Sequence, residues 1–118
     1  MMVYMLSIYS DESWLRQSAE RMAEVMAAHQ ALERDLRAAG KFRGGGGLAP
    51  SSAAVTVRFG AGKPRVTDGP FAETKELLGG FYLLEAESVE EAVSYARRIP
   101  GVDDRAVEVR PVAHWAPA

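Results

Sequence analysis

GGFYLLEAESVEEAVSYARRIP, residues 79 to 100, reads as a strand that passes directly into a helix. Phe81, Tyr82, Leu83 and Leu84 place aromatic and aliphatic side chains at consecutive positions over a strand-like length, the pattern of a strand built into a core. Ser88 then stands three residues before Glu91, a capping box in which the hydroxyl and the carboxylate each satisfy an amide of the first helical turn. Behind that cap Val89, Ala92, Val93, Ala96 and Ile99 line one helical face, and Pro100 stops the helix.

Working outward from this unit, VYMLSIY (3 to 9) is a second buried strand, ending at Ser10 and Asp11. From Ser18 to Ala39 the apolar residues Met22, Val25, Met26, Leu32 and Leu36 recur at helical steps, and Gly40 closes that helix as its C′ residue. DESWLRQ, just before it, predicts a short turn with Trp14 and Leu15 covering the edge of the core. KFRGGGGLAPSS reads as the loosest part of the chain, because glycine carries maximal backbone entropy and Pro50 interrupts a ladder. AAVTVRF (53 to 59) alternates with Val55, Val57 and Phe59 on one side, GAGKPRVT supplies a turn and a return strand, and AVEVRPV (106 to 112) is a last strand.

The order is strand, helix, two or three strands, helix, strand: βαββαβ with an extra hairpin. It predicts an α+β domain with two helices on one face of a mainly antiparallel sheet. The opposite sheet face is then apolar and uncovered. A second copy of the chain is the simplest cover, because a two-fold contact uses one patch twice, so a homodimer with facing sheets is expected.

Composition narrows the function classes. At 118 residues, 1 to 118 is expected to form one domain. No cysteine is present, which excludes disulfides, thiolate nucleophiles and cysteine metal sites. Lys and Arg number 14 against 16 Asp and Glu, with both signs mixed along the chain, so nothing offers a footprint for a phosphate backbone and nucleic acid is not an expected partner. MMVYMLSIYSDES lacks a basic n-region and reaches Asp11 and Glu12 after a few apolar residues. It reads as neither signal peptide nor membrane span, and the expected location is the cytoplasm.

His29 is the first candidate for chemistry. It lies three residues after Met26 and three before Leu32, inside the apolar stripe of the first helix. There it is either a hydrogen-bonded packing residue or an imidazole held neutral by its surroundings, which suits a general base. Asp68, in TDGP, sits where a strand breaks into a turn. It either bonds its own turn amides or accepts an imidazole N–H and so fixes the tautomer of His29. Gly69 and Pro70 shape that turn, and Pro70 aims Phe71 either at a pocket wall or into the core. Glu73 and Lys75 share one side of an extended segment, with Thr74 and Glu76 on the other, as a solvated edge or as ligand contacts. Tyr4 and Tyr82, on the strands read as central, either pack or put hydroxyls into a cavity.

Other chemistries lack their residues. The glycines at 44 to 47 lead into LAPSS with neither Gly-Lys-Ser/Thr nor a helix start, so they are no phosphate loop. His29 and His114 lie far apart without metal-ligand spacing, and no serine occupies a nucleophile elbow. No metal and no cofactor are expected.

DGPFAETKELLGGFYLLEAESVEEA resembles the signature of the YCII-related, or DGPF-domain, family, and the similarity extends to YMLSIY, MAAHQALERDLRAAG, GGGGLAP and VEVRPV. The resemblance implies a ferredoxin-like protomer that dimerises into an α+β barrel, with a pocket between the first helix and the sheet. It implies a His–Asp catalytic dyad whose matching positions here are His29 and Asp68. The ligand-binding candidates are Tyr4, Gly69, Pro70, Phe71, Glu73, Lys75 and Tyr82. His29 and Asp68, supported by the resemblance, point to a small organic ligand bound between them, in either an acid/base enzyme with His29 as base and Asp68 as orienter or a non-catalytic sensor or accessory protein; a place beside a sigma factor is what the resemblance alone implies. Two departures stand out: GGGG lacks the acid that the family carries among these glycines, and SAER replaces a Ser-Pro-Glu-Glu helix entry.

Overall fold

The computed structural model describes residues 1–60, 62–72, 74–102 and 104–118. Its elements run β1 (Met2–Ser10), α1 (Ala19–Ala38), β2 (Phe42–Gly47), β3 (Val55–Arg58), β4 (Arg65–Asp68), β5 (Leu77–Ala86), α2 (Val89–Ala96) and β6 (Arg105–Pro111). Short 3-10 turns at Ser13–Arg16 and Ser51–Ala53 precede α1 and β3. Four strands form one antiparallel sheet in the order β2-β5-β1-β6, and β3 and β4 pair as a separate hairpin. This is the ferredoxin-like α+β order with the hairpin inserted between its second and third strands.

Local sequence accounts for both helices. Ser18 caps α1 by accepting from Arg21 N at 3.1 Å. At the other end Gly40, with φ 71°, turns the chain while Lys41 N donates to Leu36 O and Gly40 N to Arg37 O, which is a Schellman closure. The cap of α2 forms at Ser88, which accepts from Glu91 N at 3.2 Å. Glu91 reaches one residue further back than a capping box requires, to Glu87 N at 2.6 Å, and its second oxygen pairs with Lys41 Nζ. That ion pair fastens the start of α2 to the segment leading into β2.

The core lies between the helices and one sheet face: Leu6, Leu32, Leu36, Leu84 and Ile99 are all at most 2% exposed. Tyr4 joins them as a packing residue, 6% exposed. On the other face Met5, Tyr9, Phe81 and Leu83 are half-exposed. The hairpin carries its apolar side chains into solvent, with Phe59 77% and Val66 66% exposed.

Three readings of the sequence change. The glycine tract is not a loose loop but the edge strand β2, paired with β5 from Phe42↔Leu84 to Gly47↔Gly80. Glycine is admitted because the backbones approach closely: a Cβ on Gly45 would lie 2.8 Å from Phe81 O. Nor is the apolar stripe of α1 uniformly buried. Leu32 and Leu36 are, but Met26 is 56% exposed, because the antiparallel β2 sets glycines rather than side chains beneath the N-terminal half of the helix. Leu15, expected over the core edge, is 52% exposed.

Candidate functional site

The missing side chains leave a hollow. Gly45 and Gly47 pair with Tyr82 and Gly80, so all four share the sheet face that looks toward α1. Three of them are bare, and a Cβ on Gly47 would meet nothing within 4 Å. A cleft of about 450 Å³ results, bounded by Met22, Val25, Met26 and His29 of α1, by this glycine floor, and by Trp14 at one end. Most of the wall is apolar. The polar groups are Ser10, His29, Glu33, Tyr82 and Arg105, few and convergent, as in sites that orient a small molecule.

His29 Nδ1 lies 2.7 Å from the Tyr82 hydroxyl, and the two rings stack with centroids 5.9 Å apart at 21°. Burial lowers the His29 pKa from its ordinary 6.5, and the nearby Arg105 guanidinium lowers it further. Burial likewise pushes the Tyr82 phenol up to about 12, helped by the Glu33 carboxylate. Both groups are therefore neutral near pH 7, and one proton occupies the bond between them. When the phenol donates, Nδ1 accepts and Nε2 carries the ring proton; when Nδ1–H donates, Nε2 is free to take a proton.

Two charged residues, each anchored by its own contacts, flank this pair. Glu33, one turn beyond His29 on α1, accepts from Arg37 Nε at 3.0 Å, and the Arg37 guanidinium rests 4.5 Å over the Phe42 ring. Arg105 donates to Ile99 O at 2.8 Å and lies against Gly101, where a Cβ would collide with its stem.

The structure brings His29 and Tyr82 together but places the other expected residues elsewhere. Asp68 is exposed at the end of β4, opposite Val55 in the separate hairpin, and does not line the cleft. The hydrogen-bond partner that the imidazole has is the Tyr82 phenol rather than the Asp68 carboxylate; β4 is not part of the sheet that faces α1. Gly69, with φ 98°, turns the chain after Asp68 and ties it back through Gly69 N to Ala54 O at 2.7 Å. Pro70 and Phe71 border a second hollow of about 490 Å³ between the hairpin and the start of β5. Phe71 is 72% exposed there, under the Arg58 guanidinium at 5.0 Å, so it does not plug the core. Lys75 is exposed in a bend and lines neither hollow, and Glu73 lies outside the described residues. Tyr4 packs in the core.

Sequence reasoning missed Glu33, Arg105 and the glycine floor. Glu33 could have been found four residues after His29 on the same helical face, and the floor from glycines clustered beside a strand-forming run. Arg105 gave no local signal. Among the described residues no three His, Cys, Asp or Glu side chains are grouped to hold a metal ion, and no helix is long and apolar enough to cross a membrane.

The YCII-related domain matches residues 2–116. An uncharacterized protein of Rhizobium meliloti (strain 1021) is 41% identical over 122 residues, covering 98% of this chain and 96% of that protein.

Proposed function

We propose that this chain, which belongs to the YCII-related family, binds a small organic molecule in the cleft under α1, with His29 exchanging a proton with it and Tyr82 orienting the imidazole. The observation that carries this reading is the 2.7 Å contact between a neutral imidazole and a neutral phenol on the wall of an apolar hollow. A general base works best when it is unprotonated at the working pH and fixed in one orientation. Burial supports the first condition and the Tyr82 bond the second. Glu33 and Arg105 set opposite charges at the rim, a means of orienting a polar molecule.

A non-catalytic sensor or accessory protein, including one acting beside a sigma factor, is the second reading. It is favoured by the partner of His29: among the described residues the imidazole is hydrogen-bonded to a weakly acidic phenol and not to a carboxylate, so the imidazolium that proton abstraction would form lacks the bonded carboxylate that steadies it in an acid/base dyad. The half-exposed Met5, Tyr9, Phe81 and Leu83 support a homodimer through the outer sheet face. Light scattering should then give twice the 12.8 kDa of one chain, and a 12.8 kDa species across micromolar concentrations would exclude it.

The two readings of the cleft separate on variants. A fragment that binds the wild-type protein should be lost on Gly47→Leu, which fills the cleft. If His29→Gln binds the fragment equally well and also leaves any turnover unchanged, the imidazole has no chemical role and the sensor reading stands.

A further inference from the structure

Glu12 has φ 65° and ψ 19°, the left-handed region that a side chain with a Cβ enters only at a cost. Its carboxylate explains why it stays there. Glu12 Oε2 accepts from Ser51 N at 2.8 Å and Oε1 from Ser51 Oγ at 2.5 Å, a two-point contact across 39 residues of sequence. Topology shows what this joins. Strands β1 and β2 both pair antiparallel with β5, so they run parallel to each other, roughly 10 Å apart at two strand spacings, and leave the sheet at the same end, β1 opposite Leu77 and β2 opposite Gly80. Glu12 follows the end of β1 and Ser51 follows the end of β2, so their contact bridges the edge where the glycine floor ends.

The same bridge governs Trp14. Leu15 N donates to Glu12 O at 3.1 Å and Gln17 N to Trp14 O at 3.2 Å, so the turn that carries the indole starts from Glu12. Trp14 and Leu48, on the two connections so joined, both line the cleft. We propose that Glu12 and Ser51 form a latch that holds Trp14 as the end wall of the His29–Tyr82 cleft, so that releasing it widens the cleft at that end. What binds there rests on the reading of the cleft as a binding site; the latch itself is measured without any ligand.

The sequence has two tryptophans, so in a Trp115→Phe background the emission reports Trp14. Acrylamide quenching should rise twofold or more in Glu12→Gly, which removes the carboxylate while allowing the same backbone angle. It should rise less in Ser51→Ala, which keeps the backbone contact, and stay at the wild-type value in Ser51→Thr. Should Glu12→Gly fail to fold by circular dichroism, Ser51→Ala against Ser51→Thr decides. Equal quenching in Ser51→Ala and Ser51→Thr, or wild-type quenching in a folded Glu12→Gly, overturns the latch. In parallel, stopped-flow association of 1-anilinonaphthalene-8-sulfonate should accelerate in Glu12→Gly and be abolished by Gly47→Leu. A dye that binds equally to Gly47→Leu counts against the cleft as the binding site, and the quenching result still decides the latch.

Discussion

Replacing Tyr82 by Phe keeps the ring, its burial and its stacking on His29, and removes one oxygen. Its effect on stability should change sign with pH. Near neutrality the variant loses the 2.7 Å bond to Nδ1, a cost of about 1 kcal/mol for a neutral hydrogen bond. At high pH a second effect opposes it. The folded phenol is pushed up to about 12 from its ordinary 10.0, so the unfolded chain ionises first. The wild-type protein therefore keeps this stability in full below pH 10 and loses it as pH rises from 10 towards 12. Two pKa units correspond to about 2.7 kcal/mol in total, and about 1.4 kcal/mol is gone by pH 11. The variant's phenyl ring has nothing to ionise. Urea unfolding followed by circular dichroism from pH 7 to 11.5 should thus show the variant about 1 kcal/mol weaker at pH 7 and equal or stronger by about pH 11. Parallel stability curves across that range would refute the argument that the phenol is desolvated and bonded in the folded protein.

Other perturbations test other parts of the account. The imidazole of His29, followed by NMR, should titrate below 6.5, and the stability it contributes should be complete above that pH and decline as pH falls through it. Glu91→Gln should weaken the protein at pH 7: the Lys41 hydrogen bond holds the Glu91 carboxyl below its ordinary 4.5, so its contribution is present above that value and fades as pH falls below it, which thermal melts at pH 7 and pH 3 will show as a shrinking difference between wild type and variant. Leu36, fully buried between α1 and the sheet, should cost about 2–5 kcal/mol on replacement by Ala in urea titrations.

The fold was legible where the chain used local signals. Ser18, Gly40 and Ser88 mark helix ends because each binds amides or carbonyls within its own turn, and the run from Phe81 to Leu84 marks a central strand because both of its faces are covered or half-covered. β2 was illegible for the opposite reason. Its glycines have no strand preference of their own, and the strand exists because β5 supplies the ladder, a contact some 40 residues away in sequence. The site followed the same division. Helical spacing put His29 on the inward face, and the alternation of β5 sent Tyr82 to meet it. Asp68 was paired with His29 by resemblance and by its strand-ending turn, yet its strand belongs to the hairpin rather than to the sheet beneath α1. Arg105 reaches the cleft through the packing of β6 against the Pro100–Gly101 segment, which no nearby pattern announces.

The central claim, that the hollow between α1 and the glycine floor is where a small molecule binds, is tested most directly by screening a fragment library against the isotope-labelled protein and mapping amide and imidazole shifts. Binding fragments should move His29, Tyr82, Gly47 and Gly80 together and lose that effect in Gly47→Leu. Fragments that bind with those four signals unmoved, clustering instead around Pro70 and Phe71, would contradict it.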